Sequence, residues 1–157
     1  MADTPVFLDS AAGEVVSADD LPLGTLAFLS SYPHPVLVTL VANIRCFMHL
    51  GGELAFQIWP DAEEVAALII PDWRLEIDPR SIVDSHSMRA VEGTAFRQGS
   101  RSGIFGLYDT RRALRTHFPI DTTGDSSPLN GSTKRVYFSR WRIMVATADG
   151  DQVLVEH

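Results

Sequence analysis

The chain has 157 residues, of which 45% are hydrophobic and 21% charged, with a formal net charge of −7. These values are typical of an ordinary globular domain and argue against global disorder. We therefore predict a single domain over residues 1–157. No apolar stretch approaches the roughly 20 residues that span a bilayer, and the start of the chain carries no secretory signal. We expect a cytoplasmic protein without membrane contact, and the single cysteine, Cys46, cannot form an internal disulfide.

Charge is divided unevenly along the chain. Residues 1–79 carry 12 acidic and two basic side chains, a net charge of −10, whereas residues 80–157 carry eight acidic and 11 basic ones, a net charge of +3. Such asymmetry bears on partners and association rates rather than on fold. Because the whole chain is acidic, with a pI near 5.1, we expect no nucleic-acid partner.

Most of the local patterns are typical of β-strands. Residues 73–77 alternate strictly, which predicts a half-buried strand with Trp73, Leu75 and Ile77 facing inward. The dipeptide Asp149-Gly150 lies between two apolar alternations and predicts a C-terminal β-hairpin. Further strand signals lie at residues 6–8, 36–41, 54–59, 89–98 and 103–108.

Three segments carry helix signals. Residues 21–30 follow N-capping side chains, and Asp61 precedes two glutamates that suit a first helical turn. Thr110 precedes a segment in which Leu114 and Phe118 are spaced by one helical turn. The predicted fold class is therefore α+β, a mainly antiparallel sheet with two or three short helices and the C-terminal hairpin.

Polar residues between positions 84 and 117 suggest a ligand site. Asp84 and His86 are two residues apart, which on a strand places both on one face. Arg101 and Arg112 belong to an arginine-rich stretch, and guanidinium groups bind phosphates and carboxylates. The alternative interpretation is that these arginines face solvent or pair with the chain's own acidic half. We predict no metal site, because no third ligand can be identified from spacing.

The acidic half suggests a docking surface. If the fold gathers these side chains on one side, Asp61, Glu63, Glu64 and Asp72 would attract a basic protein partner. Small acidic immunity or inhibitor proteins neutralise basic toxins on this physical basis, which is an analogy of charge and size only.

Three functional hypotheses follow from the sequence. The first is a protein-binding module that docks on a basic partner in the manner of an immunity protein. The second is a small-ligand-binding or enzymatic domain that uses residues 84–117. The third is a structural subunit of an oligomer. No phosphate-binding, dinucleotide, zinc or calcium motif occurs, so no cofactor is predicted, and the sequence leaves open whether the protein is an enzyme.

Overall fold

The computed structural model describes residues 5–8, 13–41, 44–60, 65–83, 91–109, 114–119 and 135–157. Within these residues the regular structure is almost entirely antiparallel β-sheet, arranged in three sheets. The helical pieces of this part of the chain are three short 3-10 turns, at residues 18–20, 52–54 and 79–81.

The first sheet has six strands in the order β1-β6-β2-β3-β4-β5. They are β1 (Val15–Ser17), β2 (Leu26–Leu29), β3 (Val36–Val41), β4 (Ile44–His49), β5 (Ile58–Pro60) and β6 (Ala66–Ile69). Leu37 and Met48 lie opposite each other on one face, which packs into the main core. Val38 and Phe47 lie on the other face, which packs against Leu21. Both faces are therefore apolar, and the strands are continuous apolar runs rather than alternating ones.

The second sheet has five strands in the order β11-β10-β9-β12-β8. They are β8 (Ile82–Val83), β9 (Ala95–Gln98), β10 (Arg101–Asp109), β11 (Leu114–Pro119) and β12 (Arg135–Phe138). The third sheet has the order β14-β13-β7, with β7 at Trp73–Ile77, β13 at Trp141–Thr147 and β14 at Gly150–Glu156.

One hydrophobic core joins the three sheets. A row of opposed residues crosses the second sheet and points into this core: Phe138, Ala95, Ile104 and Phe118. Met48 reaches the core from the first sheet, and Ile143 and Val145 reach it from the third.

A corner connects the second and third sheets, where β7 passes into β8 and β12 passes into β13. The Ser81 hydroxyl is buried there; it accepts the Arg140 backbone N–H at 3.0 Å and donates to the Asp78 carbonyl at 2.7 Å. The Asp78 carboxylate accepts the Arg80 backbone N–H and pairs with the Arg140 guanidinium at 2.7 Å. These side-chain hydrogen bonds replace the strand-to-strand backbone hydrogen bonds that are interrupted at the corner.

The predicted α+β class is wrong, because the described residues contain no α-helix where helices were expected. Residues 26–29 form β2, and residues 66–69, beyond the predicted helix start at Asp61, form β6. Residues 114–119 form β11. The reason is that a spacing of four fits one face of a strand as well as one face of a helix. A short run of apolar residues has no hydrophobic periodicity, so it does not distinguish a buried strand from a buried helix.

Two local predictions are confirmed. The strand over residues 73–77 is β7, and its residues Trp73, Leu75 and Ile77 pack against the core. The C-terminal hairpin is formed by β13 and β14, although Thr147 pairs with Gly150, so its two-residue turn is Ala148-Asp149. By contrast, residues 6–8 form no strand.

None of the helices in the described part of the chain has the length and apolar character that crossing a membrane requires.

Candidate ligand-binding site

One face of the second sheet carries a cluster of polar and aromatic side chains. Gln98 on β9 lies directly opposite Arg135 on β12 and directly opposite Arg101 on β10. In the next row on the same face, Phe96 lies opposite Tyr137 and Gly103. Residues opposite each other share a face, and every second residue along a strand returns to it. The opposite face of these strands is the one that points into the core.

His117 joins this face from β11, the edge strand, where it lies opposite Phe105. Its imidazole Nε2 is 2.8 Å from the Tyr137 hydroxyl and 3.2 Å from Nη1 of Arg135, although both partners lie on β12, three strands away. We call His117, Tyr137, Arg135 and Gln98 the His117 cluster.

Gly103 makes room for this arrangement. A Cβ atom at Gly103 would lie 2.1 Å from the Phe118 carbonyl oxygen and 2.6 Å from the Phe96 ring. The Phe96 ring fills the space that a side chain at position 103 would otherwise take, and its centroid lies 5.0 Å from that of His117 in an edge-to-face contact.

The hydrogen-bond pattern assigns the tautomer of His117. A guanidinium group has N–H donors and no acceptor, so Nε2 of His117 must accept from Arg135. Tyr137 then donates its hydroxyl proton to the same nitrogen, and the ring proton of neutral His117 is on Nδ1.

Arg135 is oriented by Gln98. Its Nε and Nη2 atoms donate to Oε1 of Gln98 at 3.1 and 2.9 Å. Since an arginine only donates, this contact identifies the amide oxygen of Gln98 and directs its NH₂ group away from Arg135. The guanidinium carbon also lies 5.7 Å from the centroid of the Phe96 ring, which adds a cation–π attraction.

The surroundings keep His117 uncharged. Burial, and after it the positive charge of Arg135, lowers the pKa of His117 to about 4. Phe96 is fully buried beside the ring, and the Phe105 centroid lies 4.9 Å from that of His117. At neutral pH the cluster therefore contains a neutral imidazole next to a permanent cation.

The sequence predicted part of this region. Arg101 is half-buried at the start of β10 and lies in the row with Gln98 and Arg135. The other predicted ligand residues, Asp84, His86 and Arg112, lie outside the described residues. Among the described residues, no three metal-ligating side chains come together.

The structure describes one of the four predicted docking residues. Asp72 is exposed in the turn between β6 and β7, and Asp61, Glu63 and Glu64 lie outside the described residues. The other exposed acids of the first half lie at opposite ends and edges of the six-stranded sheet: Glu14 before β1, Asp19 and Asp20 after it, and Glu53 before β5.

Two further acids of the first half are paired with arginines of the second. Glu76 lies 2.9 Å from Arg142 and 2.8 Å from Arg74, and Asp78 lies 2.7 Å from Arg140. Hydrogen bonds from Arg74 and Arg142 lower the pKa of Glu76. The Arg80 backbone N–H, followed by the charge of Arg140, lowers the pKa of Asp78. These carboxylates are partly neutralised, and the docking hypothesis stays a prediction.

Sequence reasoning missed Gln98, Arg135 and Tyr137 and gave His117 no role. One local signal was present, because Arg135 and Tyr137 are two residues apart and share a strand face. The contact between His117 and Tyr137 had no local signal, since it depends on the order of four strands.

These features define an antiparallel β-sheet protein with an arginine-containing polar cluster on one sheet face. The chain belongs to the family described as "Uncharacterised protein y4lG", whose family model matches residues 22–157. It is similar to the protein named "Uncharacterized protein y4lG" from Sinorhizobium fredii (strain NBRC 101917 / NGR234). The two are 28% identical over 141 residues, which cover 85% of this chain and 81% of the relative. No solved structure matches this chain.

Proposed function

We propose that this protein is a small-ligand-binding domain and that its site is the sheet face that carries the His117 cluster. The observation that carries the proposal is the hydrogen-bonded contact of His117 with Tyr137 and Arg135, built from strands that are not neighbours. Polar groups placed among aromatic rings are typical of ligand sites, where rings supply contact area and a few polar groups supply orientation.

Burial and chemistry support the proposal. Removing His117 and Arg135 partly from water beside the fully buried Phe96 costs desolvation free energy that apolar side chains at these positions would avoid. A neutral imidazole with a strongly lowered pKa, next to a specific charged partner, is one mark of a candidate functional site.

The described acids lend the docking alternative no comparable support. They are spread over both ends and both edges of the first sheet, and Glu76 and Asp78 are paired within the chain. A docking surface needs contiguous charge of one sign to raise the association rate.

A fragment screen by NMR tests the proposal. We expect ligands to shift the resonances of Gln98, His117 and Tyr137 together. Replacing Tyr137 with Phe should weaken the affinity of such a ligand about tenfold, because one oriented hydroxyl is lost. The same Tyr137→Phe variant should unfold at nearly the same urea concentration as the wild type.

The matched control is Tyr32→Phe. The Tyr32 hydroxyl donates a hydrogen bond to the Gly51 carbonyl at 2.7 Å, and the variant loses this bond. Tyr32 lies beside the first sheet, away from the His117 cluster. Ligand affinity should be unchanged in this variant. Equal losses of affinity in both variants, or fragments that shift only residues remote from the second sheet, would contradict the proposal.

A further inference from the structure

We propose that the ligand of the His117 cluster is an oxyanion, a phosphate or carboxylate group, held between Gln98, His117 and the two arginines of the row, Arg101 and Arg135. This inference rests on the proposed function and names the chemical class of its ligand. It follows from which hydrogen-bonding atoms the cluster uses internally and from the two guanidinium groups that flank Gln98.

The acceptor atoms of Gln98 and His117 are used within the cluster. Oε1 of Gln98 accepts two bonds from Arg135, and Nε2 of His117 accepts from Arg135 and Tyr137. Two donor groups remain without a partner among the described residues, the NH₂ group of Gln98 and Nδ1–H of His117. A ligand that accepts hydrogen bonds and donates few fits this set, as an oxyanion does.

Charge points to the same class of ligand. Gln98 is flanked directly by Arg101 and Arg135 on the neighbouring strands, so two guanidinium groups lie in one row. His117 is neutral at pH 7 because its pKa is lowered to about 4, and the guanidinium groups of Arg101 and Arg135 are the groups that would attract an anion.

The experiment uses the full chain and small anions as probes. Inorganic phosphate and acetate are titrated separately at pH 7, with ionic strength held constant by NaCl, while the side-chain NH₂ resonance of Gln98 and the imidazole of His117 are followed by NMR. We expect saturable shifts of both groups with at least one probe. Tighter binding of phosphate would indicate a phosphate-bearing ligand, and tighter binding of acetate a carboxylate-bearing one. Sulfate, whose charge is constant in acid, should also raise the pKa of His117, because a bound anion favours the imidazolium form.

Gln98→Glu is the most informative variant. It keeps an acceptor for Arg135 and so preserves the orientation of the guanidinium, but it removes the NH₂ donor and adds a negative charge. We expect oxyanion affinity to fall by at least about tenfold. Arg101→Gln should also weaken binding, whereas Arg142→Gln, which removes an exposed arginine of the third sheet, should leave it unchanged.

Two outcomes would overturn the inference. One is oxyanion binding in Gln98→Glu as tight as in the wild type; the other is the absence of shifts at Gln98 and His117 with every anion tested. If neutral fragments shift the cluster while anions do not, the oxyanion class is wrong and the ligand-binding proposal stands. If neither does, both fail together.

Discussion

His117 is held neutral by burial and by the charge of Arg135, and both effects favour the unprotonated ring. A histidine in the unfolded chain titrates near its ordinary value of about 6.5, whereas His117 in the folded protein titrates at about 4. Between these values the unfolded state binds more protons than the folded state. The folding stability that His117 contributes is complete above about pH 6.5 and is lost as the pH falls to about 4.

We therefore expect the urea midpoint to decrease between pH 6.5 and pH 4, and His117→Gln to flatten this decrease. Burial also lowers the pKa of His49, so part of the slope should remain in this variant and should be reduced further in His49→Gln. Chemical denaturation at several pH values measures the effect. Identical slopes in the wild type and His117→Gln would show that His117 is not held neutral.

Ser81 makes a second prediction at the residue scale. Its buried hydroxyl accepts the Arg140 N–H and donates to the Asp78 carbonyl at the corner between two sheets. Ser81→Ala leaves the Arg140 N–H without this acceptor, and we expect the free energy of unfolding to fall by about 1–3 kcal/mol. Ser139→Ala is the control, since its exposed hydroxyl makes only a 3.3 Å contact with the Ser81 carbonyl. This control should lose less than about 0.5 kcal/mol, and equal losses would argue against the corner bonds.

At the scale of elements, the turn before β9 packs against the segment before β5. Gly93 has a φ of +89°, and a Cβ there would lie 2.4 Å from the Phe56 ring. Its carbonyl accepts the Trp141 indole N–H at 2.6 Å. Phe56 itself has a φ of +63°, and its carbonyl accepts the Leu107 N–H of the second sheet. Backbone and ring contacts of these residues hold the first and second sheets together.

A glycine at the junction, Gly93, and a glycine in the C-terminal hairpin, Gly150, separate the cost of backbone strain from the cost of crowding. Gly150 has a φ of +104° and open space around its Cβ position, so Gly150→Ala should cost about 1–2 kcal/mol of stability from backbone conformation alone. Gly93→Ala should cost about 1–3 kcal/mol more, because the added methyl group collides with Phe56. Thermal or urea unfolding measures both. Similar losses in the two variants would mean that the Phe56 ring moves aside without cost.

At the scale of the whole molecule, the two charged halves of the chain meet on the third sheet. Glu76 pairs with Arg74 and Arg142, and Arg74 also pairs with Asp151. These side chains are 32–48% exposed, so solvent and salt screen their attraction.

We expect Glu76→Gln to lower the urea midpoint slightly, and the loss to shrink as NaCl is added. Unfolding at low and high salt measures this. Asp72→Asn is the control, because Asp72 is exposed and makes no ion pair within the described part of the chain. A loss in Glu76→Gln that persists at high salt would show that the pairs stabilise the fold through more than screened charge.

Local signals determined several features of this protein from its sequence. The alternation at residues 73–77 and the turn signal around Gly150 act within a few residues, so β7 and the C-terminal hairpin follow from pattern alone. The dominance of antiparallel strands follows in the same way.

Only the tertiary structure decided the rest. Residues 26–29 and 66–69 are strands because neighbours on both sides supply their hydrogen bonds, and residues 114–119 form an edge strand because β10 supplies theirs. No local period distinguishes such apolar segments from helices. His117 meets Tyr137 across 20 residues of chain because the strand order β11-β10-β9-β12 and the missing side chain at Gly103 bring them together. Pairings between distant strands are set by the summed packing of the core, which short-range sequence patterns do not encode.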